Sequence, residues 1–311
     1  MRIAFSKKLE EKLPLWKAWL WIFCSIIFVL GCTWGTFLVL QYVHKMRIQD
    51  DRYTIVAILQ TGPEKEVLNT SYLAELMGLS TDYKTNLIEF NEKKAAYALL
   101  TSPVIKQANV KKLIPGTVYV DYTVREPICT LYDYENVGMD QEGYIFPLRP
   151  FFSPKKLPEI YLGLLPFGMQ EDEFGRVGGS WNAPLNTKEA QFSIKLVKEF
   201  SSPEFQEQFR LLRVDASSAY SELYGQRQVV FVIEDVLHRQ EEKGVVTYVF
   251  PRILRLNTEE YLQDMQKYLL LREKLIDDAL LSMKNHANET YVRGPALIID
   301  LRIPELAYIK Y

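Results

Sequence analysis

VIKQANVKKLIPGTVYVDYTVR, residues 104 to 125, contains two alternating runs of apolar and polar residues joined by a Pro115-Gly116 turn. A repeat of two is typical of a strand with one buried face, and two such runs around a turn predict an antiparallel hairpin. The residues expected on the buried face are Ala108, Val110, Leu113, Val118, Val120, Tyr122 and Val124. This face needs a cover, and we expect two short helices encoded just upstream to supply it.

The segment before the hairpin completes a small domain over residues 52–126. Tyr53 to Gln60 is apolar and β-branched, which predicts a strand. Asn69 or Thr70 can cap a short helix, and a second helix is expected to begin near Asn91. The predicted order of elements is therefore β-α-α-β-β.

An apolar segment near the N-terminus predicts a membrane anchor. Residues 18 to 40 contain no charged side chain, and a run of about 20 residues is long enough to cross the bilayer as a helix. A cleaved signal peptide would have a shorter apolar region that ends in a small-residue cleavage site. We therefore predict an uncleaved transmembrane helix over residues 18–43.

The charges that flank this segment predict its orientation. Lysine and arginine are favoured on the cytoplasmic side of a span. The basic residues before it are Arg2, Lys7, Lys8, Lys12 and Lys17. Residues 1–17 are thus expected to form a cytoplasmic tail, and the chain beyond about His44 is expected to be exported.

The chain composition and its motifs argue against several classes of function. With 37 basic and 39 acidic residues among 311, the net charge of -2 gives no attraction to nucleic acid. Ser153 and Lys156 form an SxxK pair, but it lies between prolines and no KTG follows it. No HExxH motif or cysteine–histidine cluster is present either. We therefore predict a protein that is not an enzyme, with no catalytic, cofactor-binding or metal-ligating residues and no small-molecule ligand.

Residues 127–311 predict a larger β domain of mostly antiparallel strands with flanking helices. Strands are expected at 128–134, 211–215, 221–224, 228–233 and 245–250. Thr187 can cap one helix, and Asn257 with Glu260 predicts a capping box at the start of a longer one. Gly294-Pro295 breaks the chain, and the final run is ALIIDLRIPELAYIKY, from Ala296 to Tyr311.

These features together resemble the FtsQ/DivIB family of bacterial cell-division proteins. The resemblance is carried by the single span, by SPVIKQANVKKLIPGTVYVDYTVREP from Ser102 to Pro127, and by the Asp300-Leu301-Arg302 triplet near the end. It implies an α+β fold in which residues 52–126 form a POTRA domain. Arg125-Glu126 is a minor variation, because the family also shows the reverse order before proline.

The resemblance also implies a function and a binding site. Such a protein would be a non-enzymatic divisome scaffold in the cytoplasmic membrane at the division septum. It would link early division proteins to the septal peptidoglycan synthesis machinery by binding FtsB-like and FtsL-like partners, with FtsK-like or FtsW-like proteins as further partners. The binding edge carried over from the family comprises Arg302, Ile303, Ala307, Tyr308, Ile309 and Tyr311. Ile303 departs from the family, in which an aromatic residue is common at that position.

Two other functions remain open from the residues. A POTRA-containing export or envelope-assembly component would receive substrate by strand addition, and is expected to carry a β-barrel or further POTRA repeats. An anchored cell-wall enzyme would need a catalytic site, for which the sequence offers no convincing candidate. The resemblance also implies a closing pair of strands, the last over Ala307 to Tyr311. If that strand is the edge of the sheet, its unpaired backbone groups can accept a strand from another chain; the alternative is a short edge strand with no function.

Overall fold

The structure is a computed structural model that describes residues 15–173, 175–241, 244–283 and 290–310. The helices are α1 (Leu15–Gln49), α2 (Thr70–Leu76), α3 (Glu92–Leu100), α4 (Lys188–Phe200), α5 (Pro203–Gln206) and α6 (Tyr261–Ser282). The strands are β1 (Ala57–Thr61), β2 (Ile105–Leu113), β3 (Thr117–Val124), β4 (Cys129–Leu131), β5 (Val137–Met139), β6 (Ile145–Pro147), β7 (Glu159–Tyr161), β8 (Arg210–Asp215), β9 (Val229–Glu241), β10 (Gly244–Leu256), β11 (Tyr291–Arg293), β12 (Leu297–Asp300) and β13 (Tyr308–Lys310). The predicted mixed α+β class is confirmed.

In the described part of the chain, α1 alone is long and apolar enough to cross a membrane. Its apolar window has a mean hydropathy of 2.2 and is not buried against the protein. The helix is longer than the predicted span and continues to Gln49, because residues 44–49 contain neither proline nor glycine. Its last turn is capped by the small domain: Asn86 Nδ2 donates to the carbonyls of Arg47 and Ile48 at 3.2 and 2.8 Å.

The small domain has the predicted β-α-α-β-β order. Its three-stranded sheet has the order β1-β3-β2, with β1 parallel and β2 antiparallel to β3. The predicted cap at Asn69 is confirmed, since its side chain accepts from Ser71 N at 3.0 Å. The second helix begins where it was predicted, and there the Asn91 side chain accepts from Lys94 N at 3.0 Å. Leu73 of α2 and Leu99 of α3 are fully buried in the core that covers one face of the sheet.

Two details of the small domain were predicted wrongly. Leu113 is exposed, because strand alternation places Lys112 on the same face as Val110. On that face, the Lys112 amine donates to the carbonyl of Ile88 at 3.2 Å. The first strand begins at Ala57 rather than Tyr53, because a 3-10 turn over Asp51–Tyr53 precedes it.

The large domain is built on one ten-stranded sheet. The strand order is β13-β12-β10-β9-β8-β7-β4-β5-β6, and β11 adds to β10 beside β12. The sheet is mostly antiparallel, as predicted, through the β4–β5, β5–β6, β8–β9, β9–β10 and β12–β13 pairs. The β4–β7, β7–β8, β10–β11 and β10–β12 pairs are parallel. The core of this domain includes Leu196 of α4 and Tyr268 of α6, both fully buried.

Several local predictions for this domain were wrong. Ser221–Tyr224 is a turn that leads into a 3-10 helix, because Arg227 Nε donates to the Ser221 carbonyl and folds the segment back. The strand predicted at 128–134 is limited to Cys129–Leu131. The predicted capping box is absent from the start of α6: Glu260 makes no side-chain cap bond, and the Asp264 carboxylate instead accepts from the amide of Asn257 at 2.7 Å.

The hydrophobic core of the small domain extends beyond residue 126. Phe146 of β6 and Phe152 are both buried in it, whereas Ile145, the neighbour of Phe146, belongs to the core of the large domain. The junction is reinforced by a buried ion pair between Arg125 and Asp140 at 2.8 Å. The two domains therefore share a continuous interface rather than a flexible linker.

Candidate functional site

The last strand lies at one end of the large sheet. Within the described residues, β13 pairs with β12 alone, in antiparallel register with Ile299 opposite Ile309. The backbone groups on the outer side of β13 have no strand partner in that part of the chain. Such an edge is a template onto which another strand can add.

The side chains of this strand alternate between solvent and core. Tyr308 is 68% exposed and lies opposite Asp300, whereas Ile309 is half-buried and packs against the large core together with Ala307. The structure thus places Tyr308 where a partner can reach it, and uses Ile309 and Ala307 to hold the edge in place. Tyr311, the remaining predicted contact on this strand, lies outside the described residues.

Arg302 is held within the protein by Asp300. Its Nε and Nη2 donate to the two Asp300 oxygens at 2.9 and 2.7 Å, and Nη1 lies 3.3 Å from the carbonyl of Gly225. This bidentate pair holds the pKa of the Asp300 carboxyl below its ordinary value. Bidentate geometry fixes the guanidinium, so Arg302 also shapes the turn after β12.

The turn from residue 301 to residue 307 presents Ile303 and rests on α6. Ile303 is 56% exposed. Lys267 Nζ donates to the carbonyl of Leu301 at 3.3 Å and to the carboxylate of Asp264 at 2.8 Å. The lysine on α6 therefore satisfies a carbonyl at the point where the chain leaves β12.

A groove that the sequence did not predict adjoins this turn. Its volume is about 270 Å³, and its lining includes Tyr220, Tyr224, Arg302 and Ile303. The two tyrosines are 43% and 73% exposed; Tyr224 ends the segment that had been predicted as a strand, and Tyr220 immediately precedes it. The only sequence signal was the density of tyrosine between Ala219 and Gly225, since exposed tyrosines are enriched at interfaces.

Ser153 and Cys129, two side chains that could act as nucleophiles, have structural contacts instead. The Ser153 hydroxyl of the SxxK pair donates to Glu66 Oε1 at 2.7 Å and ties the two domains together. Cys129 is fully buried in the large core, and this burial raises the pKa of its thiol. Across the described residues, no group of three or more histidine, cysteine or acidic side chains is arranged to hold a metal ion.

The candidate binding site therefore consists of an open strand edge, a braced turn and an aromatic groove, all at one end of the large sheet. We refer to β13, residues 301–307, Tyr220 and Tyr224 together as the C-terminal surface. Comparison with known proteins adds no assignment, since no family model and no curated protein matches this chain.

Proposed function

We propose that this chain is a non-enzymatic, membrane-anchored divisome scaffold of the FtsQ/DivIB type. In this proposal α1 spans the cytoplasmic membrane with residues 1–17 in the cytoplasm. The small domain is a POTRA domain, and the C-terminal surface captures an FtsB-like partner that is itself coiled with an FtsL-like protein. The observation that supports the proposal most directly is the position of β13 at the open end of the sheet.

The mode of capture follows from the two parts of the C-terminal surface. An incoming strand would hydrogen-bond to the outer backbone of β13, and its side chains would meet Tyr308 and Ile303. The neighbouring groove, with Tyr220 and Tyr224, is wide enough for a large apolar side chain of the partner. Tyrosine anchors next to a backbone edge are typical of binding hot spots.

The test is the affinity of the full chain, in detergent micelles, for a purified FtsB–FtsL-type complex. Tyr308→Ala should weaken binding by about tenfold or more, since truncation of an aromatic anchor costs on the order of 2 kcal/mol. Tyr83→Ala is the matched control, because Tyr83 is 80% exposed but lies in the small domain. Equal affinity of the wild type and the Tyr308 variant would contradict the assigned surface.

A proline scan tests whether the backbone edge itself is used. Successive residues of an antiparallel edge strand point their N–H groups to opposite sides, so proline at Ile309 and proline at Tyr308 remove different hydrogen bonds. The proline that removes an outward-facing N–H should leave the fold intact and reduce binding. The proline that removes an N–H facing β12 should instead loosen β13 from β12. Binding that is insensitive to both prolines in a folded chain would exclude strand addition here.

An export or envelope-assembly function remains the second candidate, since β1 and β2 are both edge strands of the small sheet. In that case substrate would add to the small domain. A fluorescent fusion of the chain imaged in dividing cells separates the two functions. A band at midcell is expected for the scaffold, and an even distribution around the membrane is expected for the export component.

A further inference from the structure

A second exposed apolar surface lies in the loop between β7 and α4. Phe167, Met169 and Trp181, which we call the aromatic patch, are 41%, 55% and 41% exposed. The rings of Phe167 and Trp181 are 4.5 Å apart, and Tyr134 supports Phe167 from 5.5 Å in an edge-on contact. Clustered exposed aromatic side chains of this kind mark interaction surfaces.

The loop that carries the aromatic patch has a defined backbone. The Tyr134 hydroxyl accepts from Gly179 N at 2.7 Å and donates to the carbonyl of Leu165 at 2.5 Å. Gly178 N donates to the carbonyl of Met169, and a Cβ at Gly178 would lie 2.5 Å from the carbonyl oxygen of Pro166. The patch is therefore formed before any partner binds, which lowers the entropy lost on binding.

The aromatic patch lies at the opposite end of the sheet from the C-terminal surface. Its loop packs on Ile145 of β6, which ends the strand order that begins with β13. Asn182, next to Trp181, donates to the carbonyl of Thr101 at 2.7 Å, which brings the loop to the end of α3. Leu100 at that end is also exposed.

Acidic side chains flank the aromatic patch. Glu171 and Glu173 are exposed, and no ion pair to either is present within the described residues, whereas Asp172 is paired with Arg176 at 2.7 Å. These two carboxylates would be repelled by an anionic lipid surface. A twofold dimer interface uses the same surface of both copies, so it would set one acidic patch against another. Of these three occupants, a basic partner is the one whose charge complements the two carboxylates.

We propose that the aromatic patch is a docking site for a lysine- or arginine-rich polypeptide segment of another protein. One or two large apolar side chains of that segment insert among Phe167, Met169 and Trp181, while its basic residues lie against Glu171 and Glu173. This site does not depend on the proposed role of the C-terminal surface, because the two surfaces share no residue.

The probe is a fluorescently labelled seven-residue peptide of alternating lysine and leucine. The control is the matching peptide in which glutamate replaces lysine. Its anisotropy is measured against the full chain in nanodiscs of phosphatidylcholine, with empty nanodiscs as background. We expect the lysine peptide to bind and the glutamate peptide not to bind. Phe167→Ala should weaken binding about tenfold, and the double variant Glu171→Lys, Glu173→Lys should weaken it several-fold, with a larger difference at low salt.

Leu270→Ala is the matched control, since Leu270 is 85% exposed on α6 and belongs to neither surface. Three results would overturn the proposal: equal binding of the two peptides, no effect of Phe167→Ala in a folded chain, or patch-dependent binding to phosphatidylglycerol vesicles or to a second copy. Capture of an FtsB–FtsL-type complex is measured separately. It should survive Phe167→Ala, so failure at one surface is distinguishable from failure at the other.

Discussion

Two neighbouring residues of β6 are expected to stabilise different domains. Truncating one of them should destabilise one hydrophobic core and leave the other intact. Phe146 is fully buried in the core of the small domain, and Ile145 is 1% exposed in the core of the large domain. Adjacent side chains of a strand point to opposite faces, which is why one short strand can serve both. We therefore compare Phe146→Ala with Ile145→Ala in the full chain.

The magnitude follows from the burial of each side chain. Truncation of a buried phenylalanine costs about 3–5 kcal/mol and that of a buried isoleucine about 2–5 kcal/mol, including the cavity left behind. Since 1.4 kcal/mol is tenfold in an equilibrium constant, local opening should become about a hundredfold to a few thousandfold more frequent for Phe146→Ala, and about thirtyfold to a few thousandfold for Ile145→Ala. The two variants should thus lose similar amounts of stability, but in different domains.

The assay is hydrogen–deuterium exchange followed by mass spectrometry. Phe146→Ala should release protection in α3, β2 and β3, far along the chain from the substitution. Ile145→Ala should instead release protection in α4 and β8, whose buried residues share its core. If both variants deprotect the same elements, or if Phe146→Ala leaves β2 and β3 unaffected, the shared-strand interpretation is wrong.

Three further changes test the turn before β13 and the attachment of α1. Arg302→Glu should increase exchange in residues 301–310, because it sets two carboxylates side by side, whereas the swapped pair Asp300→Arg with Arg302→Asp should restore much of the protection. The pKa of Asp300 is depressed in the folded state, so its stabilising effect is present at neutral pH and is lost as the pH falls through that pKa. We therefore expect β13 to loosen only below about pH 4, as measured by hydrogen–deuterium exchange across an acid series. Asn86→Ala removes the bonds to the last carbonyls of α1 and should broaden the distance distribution between spin labels on α1 and the small domain, an outcome not expected for the control Asn91→Ala.

Elements with local signals were predictable from the sequence. Thr187 caps its helix as predicted, because a capping side chain bonds to an amide only three residues away. The hairpin of β2 and β3 followed from its period of two and its turn. The alternation was nevertheless misassigned at Leu113, since a one-residue shift moves a side chain to the opposite face.

Features that depend on distant contacts were not predictable. Nothing near Phe146 in the sequence shows that it belongs to the core of a domain whose strands end at Val124. The groove of the C-terminal surface is formed by residues about 80 positions apart, Tyr220 and Arg302 among them. The position of β13 at the end of the sheet was expected only from the family resemblance, because strand order is set by packing rather than by local pattern.

The direct join between α1 and the small domain limits where the two domains can move relative to α1. The helix ends at Gln49, a 3-10 turn begins at Asp51, and Asn86 bonds back to the helix end, so no loose tether separates them. For a chain anchored through α1, both binding surfaces would be kept within a narrow range of heights above the bilayer. Another membrane-anchored protein whose recognition segment lies at that height would encounter these surfaces at a high effective concentration. A protein whose recognition segment lies at a different height could not contact them.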